Sequence, residues 1–198
     1  HWLLKENGRE SLKINKKKFI YLISPNKIQQ KFYTNLITIL KTQKVGFFQL
    51  RLKKESFQRK IFIGKKIQKI CKRYNTKFLI NDDVPLAKKL NSDGCHLGQN
   101  DMKIFEARKI LKKKIIGITC HNSIKLAKLA LKNKADYLAF GAFNVSKTKK
   151  TKYKATLGLL KKIKKMTKTP IVAIGGINSE NYKKLLLNKA NFLAISGY

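Results

Sequence analysis

Cysteine and proline are scarce in this chain of 198 residues, with three of each, and the eleven glycines form no linker. The cysteines, Cys71, Cys95 and Cys120, are odd in number and widely spaced. This spacing argues against a disulfide framework or a zinc site and fits a reducing cytoplasm. No internal repeat interrupts the pattern, and each proline stands at a boundary between predicted elements. We therefore expect one cytoplasmic domain.

Long apolar runs are also missing. A membrane-spanning helix needs about 18–20 uninterrupted apolar residues, and Lys, Asn or Asp interrupts every candidate segment. The overall apolar content of 43% is nevertheless enough to bury one sizeable core. A soluble protein with no membrane partner is expected.

Acidic residues are rare, with ten against 46 basic residues and a net charge of +36. Such an excess is typical of proteins that bind nucleic acid. However, only five of the basic residues are Arg, and the lysines spread over nearly every predicted helix beside abundant Ile and Asn. This pattern favours a compositional bias over a nucleic-acid surface. The charge would still steer anionic substrates toward a pocket.

What is present is an alternation of eight strand-like runs with segments of helical periodicity. The runs are Phe19–Ile23, Val45–Arg51, Lys77–Asn81, Gly94–Leu97, Ile115–Thr119, Tyr137–Gly141, Ile171–Ile174 and Phe192–Ser196. Eight buried parallel strands favour an α/β fold of the (β/α)8 TIM-barrel type. Because the sequence stops just after the eighth run, we expect the final helix to be absent. A homo-oligomer could cover the strand faces that this leaves open.

Residues 1–18 precede the first barrel strand and are expected to be an N-terminal extension, with a short helix over Trp2–Asn7. Residues 19–198 would then form a single catalytic barrel domain.

Basic and amide side chains end the second predicted strand. Gln49, Arg51 and Lys53 alternate and should share one face. In a barrel, ligands bind at the carboxyl ends of the strands. These three residues are therefore candidates for holding an anionic substrate, although a solvated strand end would show the same pattern.

Acidic residues end the next two strands. Asn81 and Asp82 close the third run, and Asp101 follows the fourth. Magnesium commonly joins one or two carboxylates to substrate phosphates, so this pair predicts a magnesium site. Helix N-capping is the alternative, above all for Asp101 ahead of a helical segment that begins at Ile104.

Hydroxyl and glycine residues end the remaining strands. Thr119 is a candidate hydroxyl donor after the fifth run, whereas the neighbouring Cys120 has no visible activating partner. Hydroxyls and a cation after the sixth run suit phosphate, and glycines after the seventh permit backbone N–H groups to approach it. These phosphate candidates are Ser146, Thr148, Lys149, Gly176 and Ser196.

Six ordered motifs between about Phe19 and Ser196 resemble those of the thiamine-phosphate synthase family. They are Gln49-Leu50-Arg51-Leu52-Lys53, Asn81-Asp82-Asp83, the stretch from Asp93 to Asp101, Gly117-Ile118-Thr119, the stretch from Ser146 to Lys150, and Ala173-Ile174-Gly175-Gly176-Ile177. The resemblance implies a magnesium-dependent transferase of thiamine biosynthesis. Such an enzyme joins hydroxymethylpyrimidine diphosphate to hydroxyethylthiazole phosphate and releases diphosphate.

The resemblance also implies a role for each matching residue. Asp82 and Asp101 would bind Mg2+, and Gln49 and Thr119 would lie near the pyrimidine. The diphosphate would be held by Arg51, Lys53, Asn81 and Lys149, and the thiazole phosphate by Ser146, Thr148, Gly176 and Ser196. Catalysis would rest on Arg51, Lys53, Thr119 and Lys149.

Two alternatives remain open at this point. A thiazole tautomerase of the same family uses a His after the fifth strand, where His121 stands, but typically lacks the magnesium motifs that this chain keeps. The second is a catalytically idle basic barrel that binds RNA. The chain lacks the aromatic residues that would interleave with its charge runs on such a surface.

Overall fold

The computed structural model describes residues 3–6, 9–12, 18–144 and 152–196. Its strands are β1 Leu3–Glu6, β2 Arg9–Leu12, β3 Ile20–Ile23, β4 Val45–Leu50, β5 Lys77–Asn81, β6 Gly94–Leu97, β7 Ile115–His121, β8 Tyr137–Phe140, β9 Ile171–Ile174 and β10 Phe192–Ser196. Its helices are α1 Gln30–Lys41, α2 Phe57–Arg73, α3 Val84–Lys89, α4 Ile104–Leu111, α5 Ile124–Lys132, α6 Leu157–Met166 and α7 Tyr182–Leu187.

Strands β3 to β10 form a closed parallel barrel, because β10 pairs with β3 as well as with β9. In the described ranges, seven helices alternate with these strands and none follows β10. The predicted TIM barrel without a final helix is therefore confirmed. The carboxyl ends of all eight strands point to the same end of the barrel.

Apolar side chains fill two layers, one inside the barrel and one between the barrel and its helices. Inside, aromatic rings dominate: Phe47 packs edge-on against Phe192, with ring centroids 4.8 Å apart. Outside, α2 buries Ile63, Ile67 and Cys71 against the sheet. Because both faces of each strand are covered, the strands are nearly continuous apolar runs.

The predicted strands differ from the observed ones by at most two residues at an end. The strands Lys77–Asn81, Gly94–Leu97, Ile171–Ile174 and Phe192–Ser196 have the predicted bounds. Strand β4 stops at Leu50, one residue before the prediction, whereas β7 continues to His121. A register irregularity between Thr119 and His121 carries β7 past its predicted end.

The predicted helix over Trp2–Asn7 is wrong. Leu3–Glu6 is a strand that pairs antiparallel with Arg9–Leu12, in a two-stranded sheet separate from the barrel. The sequence between these strands is Asn7-Gly8, the strongest short-range signal for a hairpin. That dipeptide should have outweighed the weak helical pattern.

None of the helices in the described ranges is both long and apolar enough to cross a membrane.

Candidate active site

Two carboxylates meet at the mouth of the barrel. Asp82 follows β5 directly, and its side chain lies within hydrogen-bonding reach of the Asp101 carboxyl group. Burial, and after it the nearby Asp101 carboxyl group, raise the pKa of Asp82 to about 6, whereas Lys53 and Asn81 oppose the shift. A pair of carboxyl groups that repel each other in this way suits a cation placed between them.

The backbone holds Asp82 in an uncommon conformation. Its φ of 62° lies in the left-handed region, which non-glycine residues seldom adopt. Its amide N–H donates to the carbonyl oxygen of His96 (2.8 Å), and Asn81 Nδ2 donates to Asp82 Oδ2 (2.6 Å). These two hydrogen bonds fix the carboxylate between β5 and β6.

Asp101 is held by the loop that precedes α4. The amide N–H of Gly98 donates to Asp101 Oδ2 (2.6 Å). A Cβ atom at position 98 would lie only 2.8 Å from that oxygen, so glycine permits the close approach. Helix α4 begins after Lys103, and the acidic N-cap that follows β5 is Asp83, which accepts from Leu86 N (3.0 Å). The capping alternative is therefore wrong for Asp82 and for Asp101.

Basic side chains border this acidic pair. Lys53 Nζ lies 3.9 Å from Asp82 Oδ2, with its side chain more than half exposed. Arg51 Nη1 donates to Asn26 Oδ1 (2.8 Å). An exposed ion pair such as Lys53–Asp82 contributes little to stability, and the hydrogen bond of Arg51 to Asn26 is exposed as well. Both cations could therefore turn toward a phosphate at little cost. A cavity of about 290 Å³ lies beside Lys53 and is lined by it, Asn81, Asp82 and six neighbours.

Gln49 lies deeper than its sequence pattern predicted. It is buried inside the barrel rather than facing the open mouth with Arg51 and Lys53, because those two residues follow the end of β4 at Leu50. Its Nε2 donates to the Tyr21 hydroxyl (2.7 Å). The predicted common face therefore divides into a buried amide and two cations at the rim.

Three interior residues were missed at the sequence level: Tyr21, His96 and Tyr137. The hydroxyls of Tyr21 and Tyr137 are 2.7 Å apart, and Tyr137 Oη lies 2.8 Å from His96 Nδ1. Burial lowers the pKa of His96 to about 4, although Asp101 opposes this shift. The sequence signal that could have identified them is that each is a side chain with a polar end inside an otherwise apolar strand-like run.

Thr119 connects this interior group to the mouth. Its Oγ1 lies 2.9 Å from His96 Nε2, and its carbonyl oxygen accepts a hydrogen bond from Gln99 Nε2. The next residue, Cys120, is fully buried, and burial raises the pKa of its thiol to about 12. A thiol in this environment is not a nucleophile at neutral pH. The ring of His121 stacks on Tyr153, with centroids 4.0 Å apart.

The far side of the mouth is formed by glycines after β9. Gly175 and Gly176 have φ values of 104° and 57°, and a Cβ at Gly175 would lie 2.3 Å from that of Ala142. Ser196 is exposed at the end of β10. Of the predicted phosphate ligands, Ser146, Thr148 and Lys149 lie outside the described residues.

Residues 18–144 and 152–196 contain no group of three or more His, Cys, Asp and Glu side chains able to enclose a metal ion. The Asp82 and Asp101 pair still fits magnesium, which retains several waters and takes its remaining ligands from substrate phosphates. An ion at this position would have coordination sites left for water and for the oxygens of a phosphorylated substrate.

Known proteins resemble this chain over nearly its whole length. The family model described as thiamine monophosphate synthase matches residues 20–197. The thiamine-phosphate synthase of Pelagibacter ubique (strain HTCC1062) is 68% identical over 187 residues, 94% of this chain and 90% of that relative. The enzyme of that name from Erythrobacter litoralis (strain HTCC2594) is 39% identical over 183 residues, 90% of this chain and 86% of that one.

A solved structure supports the same grouping. The thiamine phosphate pyrophosphorylase from Pyrococcus furiosus superposes with a TM-score of 0.80 at 30% identity. The match covers 92% of this chain and 86% of the other.

Proposed function

The chain belongs to the thiamine monophosphate synthase family, and on that premise we propose that it joins hydroxymethylpyrimidine diphosphate to hydroxyethylthiazole phosphate. The products are thiamine phosphate and diphosphate. The protein is thus a transferase of thiamine biosynthesis whose partners are two small phosphorylated substrates. The observation that carries this proposal is the pair of Asp82 and Asp101 carboxylates with Lys53 beside them.

The acidic pair and its basic neighbours suit a leaving diphosphate. We assign Asp82 and Asp101 as the residues that would hold Mg2+, which would neutralise charge on the diphosphate as it departs. Arg51, Lys53 and Asn81 would bind the remaining diphosphate oxygens, an assignment supported by the position of Lys53 beside Asp82. Lys149 would act with them by the family resemblance.

The reaction needs no nucleophile from the protein. The bond between the pyrimidine methylene carbon and the diphosphate oxygen breaks, the diphosphate keeps the electron pair, and the thiazole nitrogen captures the carbocation. Stabilising the leaving group and aligning the two substrates supply the rate enhancement. The inert Cys120 thiol agrees with this mechanism.

We assign each substrate to its own side of the mouth. Gln49 and Thr119 would orient the pyrimidine, since one is the buried amide below the mouth and the other the hydroxyl at its edge. The thiazole phosphate would bind at Gly176 and Ser196 together with Ser146 and Thr148. Gly176 has the positive φ that lets a backbone approach a ligand closely.

We also propose the division of the chain into an extension over residues 1–18 and one catalytic domain over 19–198. The separate β1–β2 sheet supports this division.

The test is formation of thiamine phosphate from the two purified substrates, with magnesium and with a chelator. We expect product only with the metal, at a rate that falls as salt screens the basic surface. Asp82→Asn should remove activity, whereas the matched variant Asp83→Asn should not, since Asn caps a helix as well as Asp. If the folded wild-type protein forms no thiamine phosphate, the proposal is refuted. If it isomerises the thiazole phosphate instead, it is a tautomerase.

A further inference from the structure

Five side chains from five different strands form one continuous line of hydrogen bonds inside the barrel. It runs from Gln49 on β4 through Tyr21 on β3, Tyr137 on β8 and His96 on β6 to Thr119 on β7. The successive distances are 2.7, 2.7, 2.8 and 2.9 Å. We call these residues the interior chain.

The donors of the interior chain can be assigned from its first member. The amide nitrogen of Gln49 can only donate, so the Tyr21 oxygen accepts from it. Tyr21 has one proton, and among the described residues the only acceptor its hydroxyl contacts is Tyr137 Oη. Tyr137 must then donate to His96 Nδ1, because a buried hydroxyl proton without an acceptor is costly.

The same assignment of donors and acceptors determines the protonation state and tautomer of His96. A ring whose Nδ1 accepts a hydrogen bond from the Tyr137 hydroxyl has no proton on that nitrogen, so in its neutral form it carries its proton on Nε2. That N–H donates to Thr119 Oγ1. The Thr119 hydroxyl therefore receives its hydrogen bond from below and keeps its own proton for a group above it.

We propose that His96 is a positioning residue: its neutral Nε2–H tautomer, set by Tyr137, directs the Thr119 hydroxyl proton toward the bound substrate. This inference rests on the proposed function, in which Thr119 faces the pyrimidine and its departing diphosphate. The acceptor would be a diphosphate oxygen or a pyrimidine ring nitrogen, since both have free lone pairs.

The local packing supports a defined orientation for every member. The Tyr137 and His96 rings stack with centroids 5.7 Å apart and planes 15° from parallel. Gly117 makes room for Tyr137, because a Cβ there would lie 1.8 Å from the Tyr137 Cζ atom. Two residues later, the Thr119 backbone is tied to Gln99. The Gly117-Ile118-Thr119 segment thus accommodates Tyr137, the middle member of the interior chain, and supplies Thr119, its last member.

The first test reads the tautomer directly, without substrate. Nitrogen-15 NMR of the full chain with labelled histidine distinguishes a ring protonated on Nε2 from one protonated on Nδ1, and three histidines are present: His1, His96 and His121. We expect His96 as Nε2–H in the wild type and as a mixture of tautomers in Tyr137→Phe. An Nδ1–H form in the wild type, or an unchanged spectrum in Tyr137→Phe, would overturn the inference.

The second test reads catalysis. In Tyr137→Phe, the ring proton can move to the unpartnered Nδ1, and His96 Nε2 can then accept a hydrogen bond from the Thr119 hydroxyl, which turns that hydroxyl away from the substrate. We therefore expect kcat to fall by about tenfold, with a smaller change in KM. Thr119→Val should lose a similar factor and Thr119→Ser should restore most of it. Tyr74→Phe is the matched control, since Tyr74 lies outside the interior chain, and thermal unfolding verifies that each variant is folded.

A double mutant separates a directed proton from a general packing effect. Because Tyr137 and Thr119 act through the same proton, Tyr137→Phe should have no further effect on kcat in the Thr119→Val background. If the losses in kcat caused by the two substitutions multiply in the double mutant, the proposal is contradicted. If the wild type makes no thiamine phosphate, the proposed function fails, while the NMR result still decides the state of His96.

Discussion

The carboxylates at the barrel mouth and the interior chain below them are both polar, but they differ in charge and in hydrogen bonding. Asp82 and Asp101 are partly exposed, and the Asp101 carboxyl group disfavours ionisation of Asp82. The interior chain is uncharged, and its successive members are hydrogen-bonded to one another at distances of 2.7 to 2.9 Å. The comparison teaches that this barrel keeps unbalanced charge where a ligand can compensate it, and below that point links neutral polar groups to one another.

Substitutions at the mouth should therefore lower activity while changing stability little, whereas substitutions in the interior chain should lower both activity and stability. The largest expected effect is on activity at the mouth. Asp82→Ala and Asp101→Ala should each lower magnesium-dependent turnover by about a thousandfold or more, because the leaving diphosphate loses its charge compensation. Both variants should unfold at or above the wild-type temperature. Turnover retained in both would refute the metal assignment.

The largest effect on stability should come from below the mouth. In Gly117→Ala, the added methyl group would overlap the Tyr137 ring, with a closest approach of 1.8 Å. We expect the free energy of unfolding to fall by about 3 kcal/mol, as is typical of an overpacked core. Urea unfolding measures this. Gly158→Ala is the control, since a Cβ there has no heavy atom closer than 3.9 Å.

A smaller loss should follow from opening the interior chain without changing its packing. Tyr21→Phe removes one hydroxyl and leaves the buried Gln49 amide and the Tyr137 hydroxyl each short of a partner. The expected cost is about 2 kcal/mol. Calorimetry or urea unfolding would show it, and an unchanged midpoint would mean that the interior chain contributes little to stability.

The smallest effect should have the opposite sign. The pKa of Asp82 rises from 3.8 to about 6 on folding, so its contribution to stability is greatest in acid and is lost as pH rises through this range. Asp82→Asn should therefore stabilise the metal-free protein by about 1 kcal/mol above pH 6, after allowance for solvent screening.

The measurement is urea unfolding between pH 4 and pH 8 in the presence of a chelator. The two proteins should converge near pH 4, where Asp82 is largely protonated. A variant that is less stable than the wild type at pH 8 would show that ionised Asp82 helps the fold, and the contrast between mouth and interior would fail.

Much of the barrel could be predicted because its signals are local. Short apolar runs bounded by polar residues located every barrel strand, and Asn81, Asp82 and Asp101 could be placed together because parallel strands end at one side of a sheet. The Trp2–Asn7 helix failed because Asn7-Gly8 was overlooked as a hairpin signal. Periodicity is a weaker guide than turn chemistry in so short a segment.

The sequence by itself determined the alternation of strand and helix, the strand-end position of the acidic pair and the family resemblance, since each depends on residues close together in the chain. Only the tertiary structure decided that Gln49 is buried, that Asp83 rather than Asp82 caps a helix, and that Tyr21, Tyr137 and His96 link Gln49 to Thr119. Those contacts join side chains on five strands across the barrel interior. Their geometry depends on barrel closure and stagger, which no local pattern encodes.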